Sequence, residues 1–414
     1  MKRALRLALA GLFIVATLAA ALLASAILAL KPAQGEWSTT VRIAGRDVAV
    51  GVPSVIRLAT AQWFAPVLDG HTLRTPHGTL AFAWHATTET LAVRCAPCTA
   101  VLPGTEGTRI TTPFVDVTVH RDFHQLTGLI ETGAVKGQWQ GVLTQQGLKV
   151  SAQMGEAPIA AWYAVLASDL PELSRARIEG MLALHLRLSL PDGRLRAEPR
   201  LTGFRVSGLG TQEWTTLRSC GRTSRLNADS WLAKAVIAAE DQRFMEHAGW
   251  DITEVTAAFD ANQQTGRASR GASTLTQQLA KLLVTGDERT LQRKLRELLY
   301  AVEMEETLGK ARILRLYLDN VPWGPGACGA EQAARKYFGR PARQMEAAQA
   351  VWLAAMLHNP GLELERWAAE GAINQTRAEW VAGNLRGITR GQRAALRTDL
   401  AEARWPAPGS PVRD

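Results

Sequence analysis

Cysteine is scarce, with only four in 414 residues, too few for disulfides to stand in for a hydrophobic core. No G-x-x-x-x-G-K-S/T run occurs, so the phosphate loop that serves nucleotide-driven chemistry is excluded. Histidine and cysteine spacings match no zinc site. Internal repeats and low-complexity tracts are absent as well, which removes repeat architectures. Aromatic residues make up 6% and charged residues 21%, against 47% hydrophobic. That balance excludes wholesale disorder, and the length allows two domains of roughly 100 to 200 residues, each with its own core.

Charge is not balanced. Lys and Arg number 47 against 38 Asp and Glu, a net +9, so an anionic partner is expected: nucleic acid, an anionic membrane surface or a phosphorylated substrate. The first 30 residues choose among them. Lys2, Arg3 and Arg6 precede an uncharged run of 24 residues at 7–30. As a helix such a run is about 36 Å long at about 1.5 Å per residue, more than the roughly 30 Å hydrocarbon core. Ala24-Ser25-Ala26 imitates a signal cleavage site, but secretory signals carry a shorter apolar stretch. Residues 1–35 are therefore expected to form a cytoplasmic basic end and a retained transmembrane helix. Everything after Lys31 then lies across the bilayer, and no nucleic-acid partner is expected.

Residues 36–207 read as a β-rich accessory domain. Short runs at 40–43, 79–84, 115–119 and 182–188 alternate apolar and polar residues, the period of a strand. Pro76-His77-Gly78 and Pro191-Asp192-Gly193 supply turns, Pro fixing φ and Gly admitting positive φ. A helical interlude is expected over 159–167. Cys95-Ala96-Pro97-Cys98 is a C-x-x-C. A thioredoxin-like redox site would need that motif to open a helix after a strand. Strand-like runs flank it on both sides instead, so Cys95 and Cys98 are expected to form a structural disulfide closing a hairpin. Cys220 and Cys328 have no partner nearby in sequence.

After about Gly208 the period changes from two to 3.6. Helices are expected at 231–240, 273–284, 290–307, 311–318, 330–338 and 345–357. Between them, 262–272 is polar and contains Gly266 and Gly271, which reads as a flap. Residues 361–414 read as a helical extension ending in a Pro-rich tail.

Three polar clusters lie in this helical half. Glu240-Asp241, Phe244 and His247 follow an Ala-rich helix; they are either a charged helix end or a carboxylate whose low-dielectric surroundings raise its pKa toward that of a general base. Ser273-Thr274-x-Thr276-Gln277-Gln278-x-x-Lys281 contains a capping box at Thr274 and Gln277, leaving a helix N-terminus whose free N–H groups suit an anion. Lys281 has no acidic residue three or four positions away. Arg293, Lys294 and Glu297 share a helix; as a surface ion pair Arg293 and Glu297 would contribute about 0.3 to 0.5 kcal/mol. Together the clusters supply two carboxylates and several cations, the inventory for glycosyl transfer from a pyrophosphate.

In order and approximate spacing these clusters resemble the motifs of the peptidoglycan glycosyltransferases, glycosyltransferase family 51. The likeness continues through Lys310-x-x-Ile313-Leu314-x-x-Tyr317-Leu318, Trp323-Gly324-x-Gly326, Gly329-x-Glu331 and Tyr337-Phe338-Gly339. It covers about 217–360 and is greatest for the monofunctional biosynthetic transglycosylases. Asp319 and Arg315 stand where the family usually has Asn and Glu, Leu282 where Asn is usual, and Pro322 where monofunctional relatives often have Glu. Ser-x-x-Lys and Lys-Thr-Gly are absent, so no penicillin-binding transpeptidase is expected.

The resemblance implies a multidomain protein: a transmembrane helix, the β-rich accessory domain, and a mainly α, lysozyme-like glycosyltransferase domain over 208–360. It implies polymerisation of lipid II into β-1,4-linked glycan with release of undecaprenyl pyrophosphate and inversion at the donor carbon. Glu240 would be the base, and Glu297 would assist the leaving group, with or without a divalent cation such as Mg2+ or Mn2+. Asp241, Phe244, His247, Ser273, Thr274, Gln277, Gln278, Lys281, Arg293, Lys294 and Tyr317 would bind substrate. Expected partners are lipid II, the growing glycan, the lipid bilayer and other cell-wall synthesis or division proteins, at the periplasmic face of the inner membrane. Two rivals are a catalytically weak envelope scaffold and a lytic glycan hydrolase, the latter having no pyrophosphate for these cations to hold.

Overall fold

The computed structural model describes residues 30–43, 46–101, 109–216, 220, 222–265, 271–288 and 290–406. The expected anchor lies outside these residues except for its last position, as do 266–270 of the expected flap and most of the Pro-rich tail. Among the described residues no helix is long and apolar enough to cross a membrane. The chain divides into two compact units, one formed by Met1–Leu166 with Met181–Thr202 and the other by Ala167–Gly180 with Gly203–Asp414.

The first unit is β-rich. A hairpin of β1 (Ser38–Ile43) and β2 (Arg46–Gly51) leads into helix α1 (Val52–Ala59), an element the alternating pattern did not reveal. β3 (Thr72–Thr75), β4 (Gly78–His85) and β5 (Thr90–Ala96) then begin a nine-stranded sheet. The chain leaves it for a separate pair, β6 (Cys98–Val101) with β7 (Arg109–Thr112). It returns as β8 (Val115–Asp122), β9 (Gln125–Thr132), β10 (Val135–Leu143) and β11 (Leu148–Pro158), crosses α2 (Ile159–Leu166), and ends in β12 (Arg177–Leu190) and β13 (Arg194–Ser207). The order is β13-β12-β11-β10-β9-β8-β5-β4-β3, so only the β5-to-β8 step departs from a simple meander.

Alternation does the packing. Along β10, Val135 and Leu143 are buried while Lys136, Gln138 and Gln140 face solvent. Trp139 pairs with Gly128 and donates from Nε1 to Thr118 O at 3.1 Å; a Cβ at 128 would collide with that same carbonyl. Val135, Met154, Ala157, Trp162 and Val165 form a core cluster, with α2 laying its Trp162 and Val165 into it. Trp162 satisfies its indole N–H on Leu182 O at 3.2 Å.

Cys95 and Cys98 are bonded, as expected, but not across a hairpin. β5 pairs with β4 and β8, and β6 pairs only with β7. Pro97 has no N–H to continue a ladder, so the bridge staples the point where the chain leaves the sheet.

The second unit is helical: α3 (Trp231–Glu240), α4 (Ile252–Thr265), α5 (Leu275–Ala280), a π turn (Lys281–Thr285), α6 (Leu291–Thr307), α7 (Gly309–Asn320), α8 (Ala330–Phe338), α9 (Ala347–Met356), α10 (Pro360–Glu370), α11 (Gln375–Asn384) and α12 (Arg390–Glu402). α9 is buried from Ala348 through Met356, the mark of a helix wrapped on all sides; it packs on α3, α11 and α12. The expected flap begins as the last turn of α4, and the expected helix at 273–284 is a short α-helix running into the π turn. Residues after Pro360 belong to this same unit.

α6 organises the unit through buried carboxylates. Glu303 accepts from Leu209 N and Gly210 N at 2.9 and 3.1 Å, and Glu172 Oε1 accepts from Arg296 Nε at 2.8 Å, so both carboxylates have donors.

A second disulfide joins Cys220 to Cys328 across 108 residues. Because longer loops lose more entropy on closure, replacing both cysteines by Ser is expected to cost about 5 kcal/mol, against about 2 kcal/mol for the Cys95–Cys98 pair. Denaturant titration followed by hydrogen exchange on α9 checks the first figure; equal losses would show that the long link does not constrain the unfolded chain.

Candidate active site

Ser230 caps α3, its side chain accepting from Ala233 N, and the helix delivers Glu240 at its last turn. The Glu240 carboxylate is largely buried and held from two sides. Arg377 of α11 reaches Oε1 at 3.0 Å, and Gln278 Nε2 of α5 donates to Oε2 at 3.3 Å. Tyr317 of α7, fully buried, donates its hydroxyl to Gln278 Oε1 at 2.8 Å. That bond fixes the amide so that its NH2 faces Glu240. Burial raises the Glu240 pKa, and neighbouring Asp241 adds to the rise; Arg377 and Gln278 oppose it.

From Gln278 the contacts lead to the second carboxylate. Gln278 Nε2 lies 3.5 Å from Ser273 O, while Ser273 Oγ accepts from Lys294 Nζ at 2.6 Å. Lys294 also pairs with Glu297 Oε2 at 2.7 Å, and Arg293 takes Glu297 Oε1. Glu297 is wholly buried, whereas the Lys294 side chain is 43% exposed. Desolvation, with the positive charges of Arg293 and Lys281, lowers the Lys294 pKa to about 8.

The rest of the expected binding set is a buried frame. His247 accepts at Nδ1 from Gly249 N, so its Nε2 carries the proton and donates to Asp241 at 2.9 Å. Asp241 Oδ2 in turn accepts from Leu275 N at 2.9 Å. Thr274 and Gln277 close the expected capping box, and Thr274 also donates to Gly249 O at 2.8 Å. Phe244 is fully buried beneath the Lys310 ammonium, 4.4 Å from its ring centroid. Asp241, Phe244, His247, Thr274 and Gln277 thus position α5 and Glu240 and present little surface to a substrate. At the expected anion seat, Asp241 itself takes the first N–H of the helix.

Lys281 is not without a partner. The π turn closes on Gly286 at φ +74° and brings Asp287 back to it, Nζ to Oδ1 2.6 Å. Helical spacing of three or four could not have shown this pairing. Arg377 lies 137 residues beyond Glu240, so no local spacing links the two.

Residues 216–386 match the family model described as transglycosylase. The chain is 41% identical over 166 residues to the biosynthetic peptidoglycan transglycosylase of Thiobacillus denitrificans, 39% of this chain and 72% of that relative. The chain belongs to the transglycosylase family. The Nitrosomonas eutropha and Bordetella avium proteins of the same name are 46% and 49% identical, over 31% of this chain in each case. Those two matches span only 53% and 55% of the relatives' own length. The transglycosylase match takes in α11 and so includes Arg377, but not the β-rich unit.

Glu297 does not offer the donor set of a divalent cation. Both of its oxygens are engaged by cations, and the described residues contain no group of three His, Cys, Asp or Glu side chains able to hold a metal.

Arg377 has a test of its own as a positioning residue of the transglycosylase. It lowers a pKa that burial raises, so Arg377→Gln is expected to move the acid limb of the kcat/KM profile to higher pH, with Arg377→Lys restoring part of the shift. An acid limb unmoved in the Gln variant would mean that Arg377 only packs.

Proposed function

We infer that the chain polymerises lipid II at the outer face of the bacterial inner membrane, held there by residues 7–30. The observation that supports this reading is the linked pair: Glu240, its pKa raised by burial, joined through Gln278, Ser273 and Lys294 to a Glu297 that gathers two cations. Glu240 takes the proton of the acceptor sugar hydroxyl as its oxygen bonds to the donor anomeric carbon. The bond from that carbon to the pyrophosphate oxygen breaks, and the pyrophosphate leaves with the electron pair. Lys294, Arg293 and Lys281 meet the growing negative charge. Attack from the face opposite the leaving group inverts the carbon. Glu297 acts by orienting Arg293 and Lys294. Lys281 can exchange its exposed Asp287 for phosphate at small cost, since surface ion pairs contribute about 0 to 1 kcal/mol.

Purified full-length protein given fluorescent lipid II should yield a ladder of glycan products that collapses on lysozyme digestion. No polymer from folded protein would overturn the reading, and shortening of preformed glycan would favour hydrolysis.

A further inference from the structure

α7 carries two different faces. Lys310 and Tyr317 turn toward Glu305 and Gln278 in the frame of the active site. Arg312, Arg315, Leu316 and Asp319, at the i, i+3, i+4 and i+7 spacing of a helical stripe, line a cavity of about 370 Å³ on the opposite side. The other wall is the loop carrying Thr223, Arg225 and Asn227.

That wall is fastened. Ser224 donates from N and Oγ to the buried Asp319 Oδ1 at 2.9 and 2.7 Å. Cys220 N donates to Asn320 Oδ1 at 3.2 Å, and the Cys220–Cys328 bond ties the same segment down. Arg225 sits at φ +54°, a conformation uncommon for a side-chain-bearing residue. The cavity is therefore preformed, with Arg225 on one wall and Arg315 on the other. Among the described residues, no carboxylate lies within ion-pair distance of Arg225 or Arg315.

We propose that this cavity binds the phosphate ester of a small polyol, at a site separate from the glycosyl-transfer centre. The arginines suit the phosphate, since guanidinium groups offer paired N–H donors that match its oxygens. Asp319 accepts from a polyol hydroxyl, and Asn227 and Thr223 supply further polar contacts. Ser224 occupies Asp319 Oδ1 and leaves Oδ2 to accept from a hydroxyl adjoining the phosphate. The ester has two sources, a free sugar-alcohol phosphate and the headgroup of an anionic lipid.

The full-length chain in neutral-detergent micelles is titrated with glycerol 3-phosphate, and separately with micelles doped with short-chain phosphatidylglycerol or phosphatidylcholine. Calorimetry and hydrogen exchange over 222–227 and 310–320 are the readouts. Arg225→Gln with Arg315→Gln is expected to weaken binding about 30-fold or more, and Arg315→Gln alone about 5-fold, as charge-assisted bonds are lost. The charge-matched Arg390→Gln with Arg397→Gln control should lose less than about 3-fold. Binding of the soluble probe assigns a free ligand; binding of phosphatidylglycerol alone assigns the headgroup. The proposal is overturned if neither probe saturates, if both double variants weaken equally, or if protection falls on α5 and α6 instead.

Discussion

Glu240→Gln is expected to lower lipid II polymerisation at least about 100-fold, the scale of lost general-base assistance, in a protein that folds normally. The network around residue 240 tolerates the amide. Its carbonyl oxygen can still accept from Arg377, and Gln278 can turn its own carbonyl toward the new NH2, leaving Tyr317 to accept instead of donate. Stability at neutral pH should not fall by more than about 1 kcal/mol, because two linked effects oppose each other. A carboxylate whose folded pKa is raised loses stability as pH climbs from its unfolded value through the folded one, so burial of Glu240 already costs the fold stability at neutral pH. The amide removes that burden and weakens the Arg377 contact. The acid limb of the rate profile should vanish with the base. Near-normal product formation by Glu240→Gln would sink the assignment.

Elements with strong periodicity were legible in the sequence. Helices α3 and α8 span the expected 231–240 and 330–338, because burial of Leu232, Val236 and Ala239, or of Ala330, Ala333, Ala334 and Tyr337, imposes the pattern directly. α4 was not, since Ala258 is its only buried residue and its last turn is polar. Long-range partners left no local trace. Cys220 and Cys328 meet across 108 residues, and Lys281 meets Asp287 only because a π turn replaces helical spacing. The polar clusters marked Glu240, Lys294 and Glu297, which the fold links through Gln278 and Ser273; local spacing could not show that Asp241 and His247 spend their polar atoms on each other and on the start of α5.

Lys294 gives the sharpest discrimination between charge and packing. Its ammonium bridges Ser273 Oγ and Glu297 Oε2, and its pKa is lowered to about 8. If that charge meets the leaving pyrophosphate, kcat/KM should fall as pH rises through about 8. The limb in kcat should lie higher, because a bound polyanion holds the proton on. Lys294→Met is expected to lower the maximal rate about 100-fold, as for loss of a group that stabilises charge developing in the transition state. That variant also leaves the buried Glu297 with one partner fewer, which alone costs about 1 to 3 kcal/mol of stability. Lys294→Arg separates the two effects. Arginine stays charged throughout the accessible pH range and can still bond Glu297, so it should retain stability and erase the alkaline limb. An alkaline limb that persists unchanged in Lys294→Arg, with full activity in a folded Lys294→Met protein, would remove this cation from the pyrophosphate site and leave Glu297 only Arg293 to orient.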